Sequence, residues 1–326
     1  MLNNGGQESQ ITRSLRDRPL VTVIIATKDR PQMLRKCLNL LLSQDYKPFE
    51  IIVVDNSTLI SAINQIANDF PAVNFIVTRE NHSNPSILRN IGATNAHGEI
   101  LALIDDDSMV CDGWMEALVE AIILDGVGGV VGRVIEAGSP EVNTDEIGRF
   151  TSDGRITTNF NNTIPRYVDV EFMYGCNLAV RRKVLEKVGL YDPWFGITYE
   201  ETDLSFRIKH AGYRIIYAPQ MIIEHVLAPR PVGVVRRSAE FNLSSRFVSC
   251  RSLAYMCVSH FGLQRAYARV GFYVLPKTAL KEAYLDMSIM KILAVPTVTI
   301  AAIVGYLMAA FRWLGLHQLP KMPSKE

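Results

Sequence analysis

The sequence predicts an α/β fold built on a mostly parallel central sheet, followed by a helical C-terminal region. From residue 21 to about residue 225, apolar β-branched runs alternate with segments that carry apolar residues at helical spacing. Such alternation is typical of strand–helix–strand units with right-handed crossovers. Beyond residue 225 the alternation ends, and a long uncharged apolar window follows.

The strands and helices of the first part can be assigned in order. Residues 21–25 form a buried strand, after which Asp29 is expected to cap a helix that has Pro31 in its first turn. Further strands are predicted at residues 50–55, 73–78, 100–104 and 127–134. Further helices are predicted at residues 86–96 and 114–124. Together these elements predict one layered α/β unit.

Composition and charge exclude several classes of protein. Of the 326 residues, 48% are hydrophobic and 21% are charged, which is typical of a globular protein. The net charge of +1 gives no electrostatic reason to expect a nucleic-acid partner. The five cysteines lack CxxC spacing, which indicates buried thiols in a reducing compartment. The polar first 18 residues lack the apolar core of a signal peptide, so we expect a cytoplasmic location.

Three predicted strands end in polar or acidic side chains. Thr27 follows the first strand, Asp55 ends the second, and an acidic run, residues 105–107, follows the fourth. Because ligands of parallel sheets bind beyond the carboxyl ends of the strands, we expect these groups to converge on one site. An isolated acidic run is otherwise a helix cap or a solvated turn.

A divalent cation would suit this cluster. The chain contains neither a GxxxxGK[ST] loop nor a GxGxxG segment after the first strand, so a nucleotide diphosphate needs another source of positive charge. Asp105 and Asp107 lie two residues apart and can hold a hard cation that binds diphosphate oxygens.

Five segments, in this order along the chain, resemble the family 2 glycosyltransferases of the GT-A fold. They read VTVIIATKDRP, EIIVVDNST, SILRNIGATNAHGEILALIDDDS, GCNLAVRRKVLEKVGLYD and FGITYEETDLSFRIKHAGYRI. The resemblance covers roughly two-thirds of the chain. It implies metal-dependent, inverting transfer of a sugar from a nucleotide-diphosphate donor, a UDP-sugar by default. The acceptor would be a hydroxyl of a saccharide or of a lipid-linked saccharide.

The resemblance also implies roles for individual residues. Those expected at the nucleotide-sugar donor are Thr27, Asp29, Asp55, Arg89, Asp105 and Asp106. Those expected to hold Mn²⁺ or Mg²⁺ are Asp105, Asp107 and His225. Those expected on the acceptor side are Asn177 and Glu200. For Asn177 a buried polar turn is an equal alternative, Arg89 is alternatively a surface charge, and His225 a surface or core residue.

The catalytic base is expected at the start of a helix. Members of the family place the Asp of a Glu–Asp pair there, whereas this chain has Glu200 followed by Glu201. Glu201 takes the position of the base, which would remove the proton of the acceptor hydroxyl. Its extra methylene moves the carboxylate, so Glu200 remains a rival. Acidic residues in a first turn also stabilise the helix dipole, which is the alternative reading.

The resemblance divides the chain into a polar tail (residues 1–18), a GT-A domain (19–228) and a helical C-terminal region (229–326). Residues 292–311 carry no charge and have the length of a membrane span, so they would attach the protein to the cytoplasmic face of a membrane. A buried or an interfacial helix is the alternative for this window. For the whole protein, the alternative functions are a non-catalytic saccharide- or nucleotide-binding protein on the same fold and, less well supported, a nucleotidyltransferase.

Overall fold

A computed structural model describes residues 18–58, 60–78, 84–150, 156–196, 198–226, 243–261 and 289–323. Most of the predicted N-terminal tail lies outside these ranges. The predicted boundary between residues 228 and 229 also lies outside them.

Strands and helices alternate through the first part of the chain, as predicted. The first strand, β1, spans Val21–Thr27 and is followed by helix α1, Pro31–Leu42. The next elements are β2 (Phe49–Asp55), α2 (Ile60–Asp69), β3 (Asn74–Val77), α3 (Pro85–Asn95), β4 (Ile100–Asp105), β5 (Ser108–Val110), α4 (Trp114–Ile122) and β6 (Val127–Glu136). The apolar side chains of β1, β2 and β4 are almost completely buried, because helices cover both faces of this part of the sheet.

The remaining elements complete the sheet and add the C-terminal helices. They are β7 (Arg149–Phe150), β8 (Ile156–Thr157), β9 (Val168–Asp169), β10 (Asn177–Arg181), α5 (Arg182–Val188), α6 (Glu200–His210), β11 (Arg214–His225), α7 (Leu243–Phe261) and α8 (Ile289–Trp313). The predicted α/β architecture with C-terminal helices is confirmed.

The central sheet is parallel in one half and mixed in the other. Its strand order is β3-β2-β1-β4-β10-β6-β11-β5, with β9 beside β11. The first four strands run parallel to one another, whereas β10 lies antiparallel between β4 and β6. The mixed half arises because β10 enters the sheet in reverse between two strands that precede it in the chain.

One edge of the sheet gathers the predicted polar strand ends. Thr27 aligns with Asp55 across β1 and β2, and Ala26 aligns with Asp105 across β1 and β4. On the mixed side, Glu136 and His225 align at the ends of β6 and β11. The predicted convergence of the strand ends is therefore confirmed.

The C-terminal helices pack on each other and on helix α6. A Cβ atom at Gly305 of α8 would collide with the backbone of Arg251 in α7, so glycine allows the close approach of the two helices. Side chains of α7, including Tyr255 and Met256, belong to the same hydrophobic core as the sheet. These helices are thus integrated with the rest of the fold.

A buried ionic network fastens these helices to α6. Asp203 is fully buried and accepts hydrogen bonds from Arg207, His260 and Arg312, each at 2.8 Å. Although burial alone would raise its pKa, these partners hold the pKa of Asp203 well below its usual value. Asp192, which precedes α6, likewise accepts from the Tyr255 hydroxyl at 2.6 Å.

We expect Arg312→Met to lower the free energy of unfolding by about 3 kcal/mol, because removing one partner from a buried ionic network leaves the other under-compensated. Urea denaturation of the purified protein measures this loss. Lys321→Met is the matched control, since Lys321 is exposed. Equal stabilities of the two variants would contradict the anchoring role.

Candidate active site

Two carboxylates and an imidazole come together at the edge of the sheet. One ligand atom from each of Asp105, Asp107 and His225 lies within 4.8 Å of the other two. Asp105 ends β4, Asp107 lies in the turn that follows, and His225 ends β11. Carboxylate oxygen and imidazole nitrogen are suitable ligands for Mn²⁺, and two carboxylates also suit Mg²⁺. The three predicted metal ligands therefore form a set that fits such an ion.

His225 lies between two carboxylates. Its Nε2 is 3.2 Å from Asp107 Oδ1, and its Nδ1 is 2.7 Å from Glu136 Oε1. Burial alone would lower the pKa of His225, but the hydrogen bonds to Asp107 and Glu136 outweigh this effect and raise it to about 10. The two carboxylates therefore favour the charged form of the ring.

Asp106 is not part of the three-residue cluster, and its predicted contact with the donor remains a prediction. Its carboxylate accepts a 2.6 Å hydrogen bond from the Thr27 hydroxyl and a 2.8 Å hydrogen bond from Arg30. Burial raises the pKa of Asp106 to about 6, against the effect of Arg30. Only 2% of Asp106 is exposed. Its hydrogen bond with Thr27 joins the acidic turn to the end of β1.

A small cavity opens beside these groups. It has a volume of about 80 Å³, and three of the predicted donor residues, Thr27, Asp29 and Asp55, line it. Asp55 is fully buried and accepts a 2.6 Å hydrogen bond from the Ser57 hydroxyl. Burial raises the pKa of Asp55. Apolar side chains such as Ile63 also line the cavity, so it offers a ligand both apolar contact and a carboxylate.

Asp29 does not cap helix α1, contrary to the sequence expectation. The N-cap residue is Arg30, and no side chain caps the helix there. Instead, Asp29 Oδ1 accepts hydrogen bonds from the backbone N–H of Thr58 at 2.8 Å and from its hydroxyl at 2.9 Å. The backbone of Asp29 has a φ of 54°, in the left-handed region that Asp tolerates better than most residues. The side chain thus connects the loops that follow β1 and β2.

Arg89 connects the metal cluster to the start of helix α6. Its Nη2 lies 3.0 Å from Asp105 Oδ1, and its Nη1 lies 3.0 Å from Glu200 Oε1. The residue is 5% exposed, so it is not a surface charge. Although burial opposes the charged form, the carboxylates raise the pKa of Arg89 and keep it a cation.

Helix α6 presents the two adjacent glutamates. The preceding residue, Tyr199, has a φ of 66°, a conformation that is uncommon for a bulky side chain and that clusters at functional sites. Glu200 is 5% exposed and bound to Arg89, whereas Glu201 is partly exposed. Desolvation raises the pKa of Glu201, and the negative charge of Glu200 raises it further.

Glu201 and Arg89 approach the same glycine. A Cβ atom built at Gly175 would lie 3.5 Å from Arg89 Nη2 and 3.9 Å from Glu201 Oε1. The base predicted from the sequence is therefore close to the arginine that binds Asp105. The geometry places the partly exposed carboxylate of Glu201, whose pKa is raised, near the arginine that contacts the cluster of Asp105, Asp107 and His225.

The comparisons with known proteins agree with this arrangement. Residues 22–189 match the family model described as "Glycosyl transferase family 2". The chain belongs to this family. The resemblance to family 2 glycosyltransferases that the five sequence segments indicated is confirmed, and the protein is a glycosyltransferase.

Relatives of this glycosyltransferase are named for glycosyl transfer or for O-antigen biosynthesis. A "Glucosyl-dolichyl phosphate glucuronosyltransferase" of Haloferax volcanii is 28% identical over 64% of this chain and 69% of its own length. A "GalNAc(5)-diNAcBac-PP-undecaprenol beta-1,3-glucosyltransferase" of Campylobacter jejuni is 27% identical over 31% of this chain and 34% of its own length. The "O-antigen biosynthesis protein RfbC" of Myxococcus xanthus is 27% identical over 68% of this chain, but the match spans only 18% of RfbC.

Solved structures confirm the GT-A fold of the transferase. A mannosyltransferase from Pyrobaculum calidifontis, solved with GDP-Man and Mn²⁺, has a TM-score of 0.54 and 17% identity, covering 96% of this chain and 94% of its own. GalNAc-T7, solved with UDP, GalNAc and Mn²⁺, has a TM-score of 0.62 and 17% identity, and the match covers 94% of this chain and 60% of GalNAc-T7.

Asn177 does not face an acceptor in this transferase, which corrects the expectation from the sequence. The residue is fully buried at the start of β10. Its side-chain oxygen accepts a 2.9 Å hydrogen bond from the indole of Trp114. Its amide donates to the carbonyls of Arg133 at 3.0 Å and Met221 at 2.9 Å. Asn177 therefore joins β6, β10, β11 and α4 in the core, the buried alternative considered above.

Two residues of the site were missed from the sequence. Arg30 binds both Asp106 and Asp107, and its position directly after the first strand was the available signal. Glu136 contacts His225 from a strand 89 residues earlier in the chain, and no local pattern connects the two.

Proposed function

We propose that this glycosyltransferase moves a sugar from a nucleotide-diphosphate donor to a hydroxyl group of a saccharide or lipid-linked acceptor, with inversion at the anomeric carbon. One observation carries the proposal: Arg89 binds Asp105 of the metal cluster and Glu200, the neighbour of the base Glu201. Groups for the donor and for the acceptor are thus held by a single guanidinium.

The donor side is proposed to begin at the cavity between β1 and β2. Asp55 would bind the base or the ribose there, with Thr27 and Asp29 beside it. Asp105, Asp107 and His225 would hold Mn²⁺ or Mg²⁺, which would neutralise the diphosphate and stabilise it as a leaving group. Two structural neighbours were solved with Mn²⁺ and a nucleotide or nucleotide sugar, which supports this assignment. A UDP-sugar remains the default donor.

On the acceptor side, Glu201 is the proposed general base. It would take the proton of the acceptor hydroxyl while that oxygen bonds to the anomeric carbon and the bond from sugar to phosphate breaks. The partial exposure of Glu201 lets a hydroxyl reach it, and its raised pKa brings its basicity closer to that useful at neutral pH. Glu200 suits this role less well, because it is buried and bound to Arg89.

The names of two relatives support a lipid-linked acceptor. The Haloferax relative is named for glucosyl-dolichyl phosphate and the Campylobacter relative for a diphospho-undecaprenol saccharide. We therefore propose that the acceptor is carried on a lipid and that transfer takes place at the cytoplasmic face of a membrane. The division into a GT-A domain at residues 19–228 and a helical region at 229–326 belongs to this proposal.

Helix α8 is the proposed membrane contact. Within it, Pro296–Trp313 has a mean hydropathy of 1.3, and only 28% of this window is buried. Apolar side chains on one side of the helix and just beyond its end are exposed: Ile300, Ile303, Leu307, Phe311 and Leu314. Their spacing of three or four residues forms a continuous stripe. An apolar stripe of this kind is typical of a helix that lies in a membrane interface.

The opposite side of α8 argues against a spanning helix. Val298, Ala301 and Ala309 are buried there, and Arg312 is bound to Asp203. Because this side is packed against the domain and its last turn is fixed by an ion pair, we propose that α8 lies along the membrane surface rather than across the bilayer. No acidic residue occurs from residue 289 to residue 324, whereas Lys291 and Lys321 are basic, which favours an anionic lipid surface.

We expect Glu201→Gln to lower kcat by about 10²–10⁴-fold with donor binding nearly unchanged, because the amide cannot accept the proton. Release of nucleoside diphosphate measures turnover, and calorimetry measures donor affinity. Glu186→Gln is the matched control on an exposed glutamate. Greater damage from Glu200→Gln than from Glu201→Gln would show that Glu200 is the base.

The same variants have a pH signature. If Glu201 must be deprotonated, kcat/KM rises with pH until the pKa of Glu201 is passed. Because the charge of Glu200 raises that pKa, Glu200→Gln lowers it and moves the rising limb to lower pH. If the rising limb of kcat/KM is at the same pH in Glu200→Gln as in the wild type, Glu201 is not the group whose titration it reports.

Replacing Ile300, Leu307 and Leu314 together with Ser is expected to abolish binding to anionic phosphatidylglycerol vesicles, because it removes the apolar stripe while leaving the buried face of α8 intact. Cosedimentation measures the bound fraction. The matched control carries Leu42→Ser and Val77→Ser, which change exposed apolar residues elsewhere. Cosedimentation of the stripe variant at the wild-type level would contradict the membrane contact.

A further inference from the structure

Glu136 lies behind the metal-binding histidine. It is the last residue of β6 and aligns with His225, the last residue of the parallel strand β11. Its Oε1 is 2.7 Å from Nδ1 of the ring, whereas Nε2 faces Asp107. Glu136 is outside the three-residue cluster that can hold a metal. The imidazole therefore separates this carboxylate from the ion site.

We propose that Glu136 is a positioning residue for the metal: it accepts a hydrogen bond from Nδ1–H of His225 and so leaves Nε2 to bind the ion. The inference rests on the metal site of the proposed function. It assigns to Glu136 no direct bond to the ion.

The chemistry of imidazole explains why such a partner matters. A neutral imidazole carries its proton on one nitrogen, and only the other nitrogen has a lone pair for a metal. A carboxylate on Nδ1 selects the tautomer that offers Nε2, fixes the plane of the ring and makes Nε2 more basic. In that tautomer Nε2 would offer its lone pair to the ion.

The backbone fixes this arrangement. The register of the parallel pairing between β6 and β11 places Glu136 and His225 side by side. One residue further along, the N–H of Val226 donates to the carbonyl of Asp107 at 2.9 Å, which ties the end of β11 to the acidic turn. The side chain of His225 is 13% exposed and that of Glu136 28%, so the ring has little freedom to turn toward solvent.

Removing the charge of Glu136 is therefore expected to weaken metal binding without abolishing it. Calorimetry with Mn²⁺ alone, on the full chain and without donor, measures the affinity. We expect Glu136→Gln to raise the Kd about 10-fold and Glu136→Ala about 100-fold, the range found for partners of metal-bound histidines. Asp107→Ala, which removes a ligand itself, should leave no measurable binding.

Glu141→Gln is the matched control for the loss of a negative charge near the site. Glu141 lies shortly after Glu136 in the chain, is exposed, and pairs with Arg133 rather than with His225. Its variant should bind Mn²⁺ like the wild type. Thermal unfolding of every variant establishes that each is folded at the temperature of the titration.

Three outcomes would overturn the inference. Wild-type affinity in both Glu136 variants, with binding lost in Asp107→Ala, would leave the metal site standing and remove the role of Glu136. Complete loss of binding in Glu136→Gln would make Glu136 a ligand rather than a positioning residue. Wild-type affinity in Asp107→Ala would mean that the proposed metal site itself is wrong, and the role of Glu136 would fall with it.

Discussion

The buried guanidinium of Arg89 is the interaction on which the site depends. One of its nitrogens binds Asp105 and another binds Glu200, so a single cation holds the end of β4 and the start of α6 together. Arg89 and Glu200 are both buried, whereas the side chain of Asp105 is 34% exposed. Without the guanidinium, Glu200 would be a buried carboxylate with no compensating charge, which is costly. Arg89 therefore holds Asp105 and Glu200 close to each other.

The rest of the fold holds the two ends of this arrangement in place. Parallel strands bring Asp55 and Asp105 to one edge, and the pairing of β6 with β11 adds His225. The two C-terminal helices fix the position of helix α6. Asp203, two residues after Glu201, is bound to His260 of α7 and to Arg312 of α8. Helix α8, which carries the exposed apolar stripe, thus also supports the helix that begins with Glu200 and Glu201.

The sequence predicted those features that depend on local pattern. The strands β1 to β4 and β6, and the convergence of the polar strand ends, follow from apolar runs and from the rules of parallel sheets. The direction of individual side chains does not follow, which is why the contacts of Asp106 with Arg30 and of Asn177 with Trp114 were not predicted: each partner is distant in the chain. Glu136 escaped notice for the same reason, because its contact with His225 exists only once β6 and β11 pair.

In the proposed function, the cluster of Asp105, Asp107 and His225 holds the metal on one side of Arg89 and Glu201 acts as the base on the other, which are the components of a one-step displacement. Such a displacement inverts the configuration of the anomeric carbon, because the acceptor attacks opposite the departing diphosphate. Proton NMR of the first-formed glycoside, compared with the donor, measures this directly. The account predicts the opposite anomer to that of the donor. A product that retains the configuration of the donor would contradict it.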